Sequence, residues 1–350
     1  MTPSAETPGA ALFRGVGVNQ KKGTDTMKIK PAAAFVASLL AMTSVASAAE
    51  QVKPAWNGIT EELFQLFVVS EGLKELGYDV AEPTQTQVQL AHVAIANGDL
   101  TFYAAHWEPL HEAFWKEAGG DAKLVRLGKL SSNSLQGYLI DKMTAAGEGI
   151  KYLEDLKDPE KAKLFDTNGN GKADLYGCEP GWGCERVIEH HLDAYGLRDT
   201  VEHQQGGYFT IIPDAIERVM EGKPVLYYTW TPLWVSAVLK PGQDVVWLNV
   251  KETSLPDGQT GNTTVEGLGN LGFPVNDQMV IANTAFANAN PSAKKFFELV
   301  HIPVEDINAE NKLVADGEKS NEQIMKHATD WIAAHRADWD KWIAEAKAAK

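Results

Sequence analysis

The chain has 350 residues, of which 44% are hydrophobic and 23% are charged, and its formal net charge is -15 at pH 7. This composition is that of a globular protein with one large domain or two modest ones, which excludes a mainly disordered chain. Because acidic residues outnumber basic ones, the phosphate backbone of a nucleic acid would be repelled, and nucleic-acid binding is excluded as a function class.

The first 48 residues differ from the rest of the chain. Met27 opens a short basic segment, which is followed by an apolar run and a small-x-small sequence that ends at Ala48. This order predicts a secretory signal peptide over 27–48, preceded by a dispensable upstream extension over 1–26. No cysteine lies near the cleavage point to carry a lipid, and no later stretch approaches the roughly 20 apolar residues of a membrane span. We therefore expect a periplasmic protein.

Helices and strands alternate along the remaining chain. Apolar spacing predicts a helix that Thr60 caps and that ends at Gly77, and a second helix over 87–97 that ends at Gly98. A further helix is predicted over 185–195. The predicted strands are 78–80, 100–105, 135–140, 225–229, 245–248 and 279–282. This alternation indicates an α/β fold whose mixed sheet is covered by helices, with a second α/β domain inserted into the first.

Large side chains mark the carboxyl end of the chain. Trp331, His335, Trp339 and Trp342 share one stripe at helical spacing. Such a stripe predicts one terminal helix that docks on the core.

A similar phrase occurs twice, each time after an apolar strand. YAAHWEPL contains Trp107 and YYTWTPL contains Trp230, and a proline follows each tryptophan. We expect Glu108 and Thr231 to cap the helices that follow. Open α/β sheets bind ligands where their strands end, so the two tryptophans could share a site. The alternative is that each one packs into the core or its rim.

A tight loop carries the two cysteines of the chain, Cys178 and Cys184. A single cysteine pair in an exported protein predicts a disulfide. Trp182 lies at the apex of this loop, and Gly183 and Cys184 precede the helix over 185–195, where free backbone N–H groups bind anions. The alternative is a purely structural hairpin.

Three tryptophans and a helix start together favour a zwitterion with a bulky cation at one end and a carboxylate at the other. An aromatic face attracts a desolvated quaternary ammonium by about 2 kcal/mol, and a charge-assisted hydrogen bond to a carboxylate contributes about 1.5–3 kcal/mol. His111, four residues after Trp107, could reach the same carboxylate, or it could be a surface histidine without this role.

The segments LFDTNGNGKADL, GCEPGWGCE and YYTWTPLWVS resemble those of the periplasmic glycine betaine/proline betaine-binding proteins of ProU-type osmoprotection ABC importers. The resemblance extends from about residue 59 to the carboxyl end. It implies an aromatic cage and a set of carboxylate partners. The cage would be Trp107, Trp182 and Trp230, and the carboxylate partners would be Gly183, Cys184 and His111. The sequence departs from the family at His106 and Glu108, where Asn and Thr are expected.

The resemblance also implies an architecture and partners. The fold would be that of a two-lobed type II periplasmic binding protein, with lobe I over 51–140 and 226–350, lobe II over 141–225, and the ligand between them. Each lobe would be a mixed sheet flanked by helices, and a hinge motion would close the lobes. The protein would be a monomer that delivers glycine betaine to a membrane permease, and a separate subunit would hydrolyse ATP.

One motif points to a metal instead. Side chains at alternating positions of a glycine-rich loop suggest a calcium loop, with Asp166, Asn168, Asn170, Lys172 and Asp174 at those positions. An EF-hand loop ends in a bidentate glutamate, and Gly177 stands at that position here. The sequence leaves two interpretations of this loop, a bound calcium ion and a solvated turn. No other cofactor is expected.

The sequence lacks the signatures of an enzyme. No P-loop, no zinc-protease motif and no pairing of a nucleophile with a base is found. Choline, carnitine and sulfonium analogues are alternative ligands, because an aromatic cage alone accepts many onium cations.

Overall fold

The computed structural model describes Gly23 and residues 51–349. The predicted extension and signal peptide over 1–48 lie outside the described residues, apart from Gly23. The strands are β1 Pro54–Trp56, β2 Thr84–Gln85, β3 Phe102–Glu108, β4 Leu124–Asp141, β5 Ala173–Tyr176, β6 Val201–Gln204, β7 Leu226–Thr231, β8 Val245–Leu248, β9 Thr264–Val265, β10 Gly269–Asn270 and β11 Asn276–Asn283.

The α-helices alternate with these strands and then fill the carboxyl end. They are α1 Thr60–Glu75, α2 Val88–Asn97, α3 Glu112–Glu117, α4 Lys142–Glu148, α5 Pro159–Ala162, α6 Gly183–Ala194, α7 Tyr208–Met220, α8 Val235–Val238, α9 Thr284–Ala289, α10 Pro291–Leu299, α11 Val304–Ala315, α12 Asn321–Ala334 and α13 Arg336–Ala348. Between residues 51 and 349, no helix combines the length and the apolar character needed to cross a membrane.

Within residues 51–349, one mixed sheet of nine strands organises the fold. Its order is β2-β1-β3-β11-β4-β7-β5-β6, and β8 also pairs with β4. Strand β4 connects the two halves of the sheet. Its first part pairs with β11, and its second part pairs antiparallel with β7 and β8. The predicted α/β class with a mixed sheet flanked by helices is confirmed.

Apolar side chains form two large cores on this sheet. One core lies between α1, the carboxyl-terminal helices and the β3–β11 end of the sheet, and it contains Phe67, Phe102, Phe296 and Trp339. The other core surrounds β5, β7 and α6 and extends over β8. Residues 138–140, 226–228 and 245–248 contribute to this second core. The division into lobes at residues 140 and 225 stays a prediction.

Glycines end the first two predicted helices. Gly77 has φ of 94° and Gly98 has φ of 83°, and this left-handed backbone stops a helix at little cost only when the residue is glycine. Both helices therefore end where the sequence predicts. The N-cap of α1 is Ile59 and not Thr60, which is the first helical residue.

Three other local predictions are wrong. The predicted strand 78–80 is a single bridge from Val80 to Val52. Glu108 and Thr231 end strands and cap no helix, because α3 and α8 begin only at Glu112 and Val235. The predicted single terminal helix is divided into α12 and α13 at His335.

Candidate functional site

Trp107 lies near the end of β3, where antiparallel pairing with Gln278 of β11 fixes its backbone. Its side chain is buried, and its indole Nε1 donates to Oε1 of Glu62 at 3.2 Å. Tyr103 donates its hydroxyl to Oε2 of the same carboxyl group at 3.1 Å. Burial raises the pKa of Glu62 to about 8. The sequence thus places Trp107 in a rigid position, with one indole edge held by a carboxyl group.

Trp230 lies near the end of β7, opposite Gln136 of β4. Its ring centroid is 5.7 Å from that of Trp182 at an interplanar angle of 76°, so the two indoles meet edge to face. Tyr208 packs against Trp230 at 4.7 Å between ring centroids. Both indoles are buried, although one comes from a strand and the other from a loop.

The predicted disulfide joins Cys178 and Cys184. Trp182 occupies the N-cap position of α6, and Gly183 and Cys184 are the first two residues of that helix. The first four N–H groups of a helix have no partner within the helix and carry a positive dipole. The bridge therefore fixes one tryptophan and two free backbone donors as a single unit.

His111 is buried, which rules out the alternative of a surface histidine. The backbone N–H of Trp107 donates to its Nδ1 at 3.1 Å. Burial lowers the pKa of His111 well below its usual value, so the ring is neutral and its proton sits on Nε2. A Cβ added to Gly183 would lie 3.2 Å from Cδ2 of His111, so the Nε2 edge of the ring faces the start of α6.

All six predicted site residues line one cavity. They are Trp107, His111, Trp182, Gly183, Cys184 and Trp230. The lining combines indole faces, two helix-start N–H groups and a neutral imidazole donor. This arrangement can hold a small zwitterion by its cationic and its anionic end. Their roles in binding stay a prediction.

Sequence reasoning missed other residues of the lining, which are Asn57, Ile59, Glu62, Val88, Leu110, Gln136 and Tyr228. Tyr228 donates its hydroxyl to Oε1 of Gln136 at 2.6 Å. Nε2 of Gln136 is buried and has no hydrogen-bond partner among the described residues. In the sequence, Gln136 is recognisable as an amide within the apolar segment LQGYLI.

In the glycine-rich loop that resembles a calcium site, the carboxylates accept hydrogen bonds from groups of the loop itself. Asp166 accepts backbone N–H groups of Gly169 and Gly171 at 2.7 and 2.8 Å. Asp174 accepts the backbone N–H and the hydroxyl of Thr167, both at 2.6 Å. Lys172 donates its ammonium to a backbone carbonyl elsewhere, the oxygen of Arg198. Calcium binding by Asp166, Asn168, Asn170, Lys172 and Asp174 stays a prediction.

Known proteins of similar sequence are periplasmic binding proteins. The chain is 50% identical to the glycine betaine-binding periplasmic protein OusX of Dickeya dadantii over 299 residues, which cover 85% of this chain and 90% of that protein. It is 49% identical to the glycine betaine/proline betaine-binding periplasmic protein of Escherichia coli, also over 299 residues, with 85% and 91% covered.

Solved structures of low sequence identity have a similar fold. Lactococcal OpuAC, in its closed-liganded conformation with glycine betaine, has a TM-score of 0.63 at 20% identity over 84% of this chain and 99% of its own. An ABC-transporter choline binding protein in complex with choline has a TM-score of 0.66 at 17% identity over 85% and 97%. At these identities the likeness shows the fold alone.

A family model settles the class of the protein. The model that describes the substrate binding domain of ABC-type glycine betaine transport systems, OpuAC, matches residues 50–334. The predicted family and the prediction of a binding protein instead of an enzyme are both confirmed by this match and by the relatives. The chain belongs to the family of substrate-binding domains of ABC-type glycine betaine transport systems.

Proposed function

We propose that this protein captures glycine betaine, and also proline betaine, in the cavity between Trp107, Trp182 and Trp230 and delivers it to the membrane permease of an ABC importer. One observation carries the proposal. The three indoles, the neutral His111 and the start of α6 line the same cavity, although they come from distant parts of the sequence.

The cationic end of the ligand would lie against the tryptophans. A trimethylammonium group has no N–H to donate, so a wall of ring faces costs it no hydrogen bond. Each well-desolvated indole contact contributes about 2 kcal/mol. Ammonium groups with free N–H donors would lose their hydrogen bonds to water in this cage, which disfavours ordinary amino acids.

The carboxylate end would lie at the start of α6. The backbone N–H groups of Gly183 and Cys184 lie in the first turn, where donors have no acceptor within the helix. The Nε2 edge of His111 faces the same point. Charge-assisted hydrogen bonds of this kind contribute about 1.5–3 kcal/mol each. These donors would favour a betaine over choline, which carries no carboxylate.

Delivery completes the proposed function. The curated relatives are named as periplasmic proteins, and the family serves ABC-type transport systems. We infer that this protein acts as a periplasmic monomer, that its signal peptide is removed, and that it contacts a permease whose ATPase subunit drives import. Uptake of an osmolyte by this route would serve osmoprotection.

Calorimetry with the purified protein tests the proposal. Glycine betaine should bind with one-to-one stoichiometry in buffer that contains EDTA, and Trp182→Ala should weaken its binding by about 2 kcal/mol, or roughly 30-fold. Trp342→Ala is the matched control, because Trp342 lies on α13 and packs on the other core. Absence of binding to glycine betaine would overturn the proposal. Tighter binding of choline or carnitine than of glycine betaine would select the alternative ligands.

A further inference from the structure

Two buried histidines lie in direct contact beside the cavity. His92 belongs to α2 and His106 belongs to β3, and neither side chain is exposed. Nε2 of His92 lies 2.9 Å from Nδ1 of His106. Neither ring lines the cavity itself.

The outer nitrogens of this pair both face oxygen acceptors. Nδ1 of His92 lies 2.8 Å from the backbone oxygen of Val88. Nε2 of His106 lies 3.0 Å from Oε2 of Glu108. An N–H on each outer nitrogen would donate to these acceptors, and in that tautomer the inner nitrogen of each neutral ring carries a lone pair.

In this tautomer the two inner nitrogens face each other at 2.9 Å as lone pairs. Two acceptors at this distance repel each other unless a cation lies at the contact. The cation can be a third proton or a metal ion.

A third imidazole completes the cluster. One ring nitrogen from each of His92, His106 and His111 lies within 4.8 Å of those of the other two. Metal-binding histidines usually donate their outer N–H to a carbonyl or carboxylate, and the outer nitrogens of His92 and His106 face acceptors of these two kinds. Glu108 is itself held by Arg126 at 2.7 Å, so the carboxylate has a fixed position.

We propose that His92, His106 and His111 bind a divalent transition-metal ion of the zinc class. Three neutral imidazoles are an established ligand set for Zn²⁺, which also binds one further ligand in a tetrahedral site. His111 and Val88 border the cavity, so the further position is open to water or a small anion from that side. Coordination through Nδ1 of His111 would replace the hydrogen bond that this nitrogen now accepts from the Trp107 N–H.

A metal titration without betaine tests this proposal. The protein is prepared without a histidine tag, freed of metal with EDTA and transferred to chelator-free buffer. Zn²⁺ should then bind one-to-one in calorimetry, and Co²⁺ should give the visible absorption of a nitrogen-ligated site. His106→Asn should weaken Zn²⁺ binding by more than about 100-fold, and Glu108→Thr, which removes the outer acceptor, by about 10-fold or more. His301→Asn, on the surface, is the matched control and should change nothing.

Two outcomes would overturn the proposal. If the unaltered protein binds no Zn²⁺ up to millimolar concentration, the three histidines are not a metal site. If His106→Asn and Glu108→Thr bind Zn²⁺ as the unaltered protein does, the ion binds elsewhere. Circular dichroism of each variant distinguishes a loss of metal binding from a loss of folding. Glu108→Thr is the variant that should disturb the fold least, because the Glu108 side chain is partly exposed. Betaine binding is measured in EDTA and metal binding is measured without betaine. Absence of zinc binding would therefore leave the proposed function unchanged, and absence of betaine binding would leave the metal proposal unchanged.

Discussion

The indole of Trp107 donates a hydrogen bond of 3.2 Å to Glu62, a buried carboxyl group in the first turn of α1. The contact joins the first helix to the end of β3 across 45 residues of sequence. Because the other oxygen of Glu62 accepts from Tyr103, the carboxyl group sets the plane of the indole and thereby one wall of the cavity. The cavity depends on a group whose charge state is set by burial.

Glu62 makes the stability of the protein depend on pH. Burial raises its pKa from 4.5 to about 8. Between these values the folded state binds a proton that the unfolded state releases, so the Glu62 contribution to the free energy of unfolding falls as the pH rises. The loss is up to about 1.4 kcal/mol per pH unit in this window. Glu62→Gln should remove that dependence, as measured by urea unfolding at pH 5, 7 and 9.

Glu61 acts in the same direction, since burial raises its pKa to about 7. The variant is therefore compared with the unaltered protein at each pH, and Glu82→Gln, which is exposed, is the control. The advantage of Glu62→Gln over the unaltered protein should grow with pH. Parallel curves for the two proteins would show that Glu62 is ionised in the folded state.

The disulfide should stabilise both the fold and the site. It closes a short loop between Cys178 and Cys184, and loop closure of this length contributes about 2 kcal/mol in the chain-entropy model. Replacement of both cysteines by alanine should lower the free energy of unfolding by this amount and weaken glycine betaine binding, because Trp182 and the start of α6 lose their anchor. Dithiothreitol should reproduce both effects in the unaltered protein and have no effect on the variant. Unchanged affinity would show that α6 alone positions the loop.

The sequence predicted much of this site because its chemistry is local. Trp182, Gly183 and Cys184 are consecutive in the sequence, and Trp107 and His111 are four residues apart. The proximity of Trp182 to Trp230 depends on the pairing of β5 with β7, which no local pattern reveals. Gln136 was missed for a related reason, since its place opposite Trp230 follows from the register of β4 against β7.

Errors in the fold prediction have a similar origin. Strands β1 and β2 have three and two residues, too few for a period of two to be detected. The terminal stripe predicts one helix because its apolar spacing continues across the break at His335, and α13 begins at the next residue. Long helices bounded by glycine were predicted well because their ends are set by the backbone of a single residue.

Gly183 should tolerate no side chain. A Cβ at this position would lie 2.8 Å from Cγ of Leu110 and 3.2 Å from Cδ2 of His111. Gly183→Ala should therefore displace α6 from His111, cost about 1–3 kcal/mol of stability and weaken glycine betaine binding by at least about 10-fold. Gly147→Ala is the control, because no atom lies within 4 Å of its Cβ and alanine favours a helix. Equal affinity in both variants would mean that α6 does not approach the ligand.

His111 should discriminate between ligands with and without a carboxylate. Its neutral ring accepts the Trp107 N–H at Nδ1 and leaves Nε2–H as the donor toward the start of α6. His111→Phe removes that donor while it retains a ring of similar shape. We expect glycine betaine to bind about 10–100-fold more weakly, which corresponds to the loss of one charge-assisted bond.

Choline has no carboxylate and serves as the internal control. Loss of the bond from Trp107 disturbs the cage for both ligands, so the ratio of the two affinities isolates the carboxylate contact. An equal loss for glycine betaine and choline in calorimetry with EDTA would assign His111 to positioning Trp107 and leave the backbone donors of Gly183 and Cys184 to hold the anion.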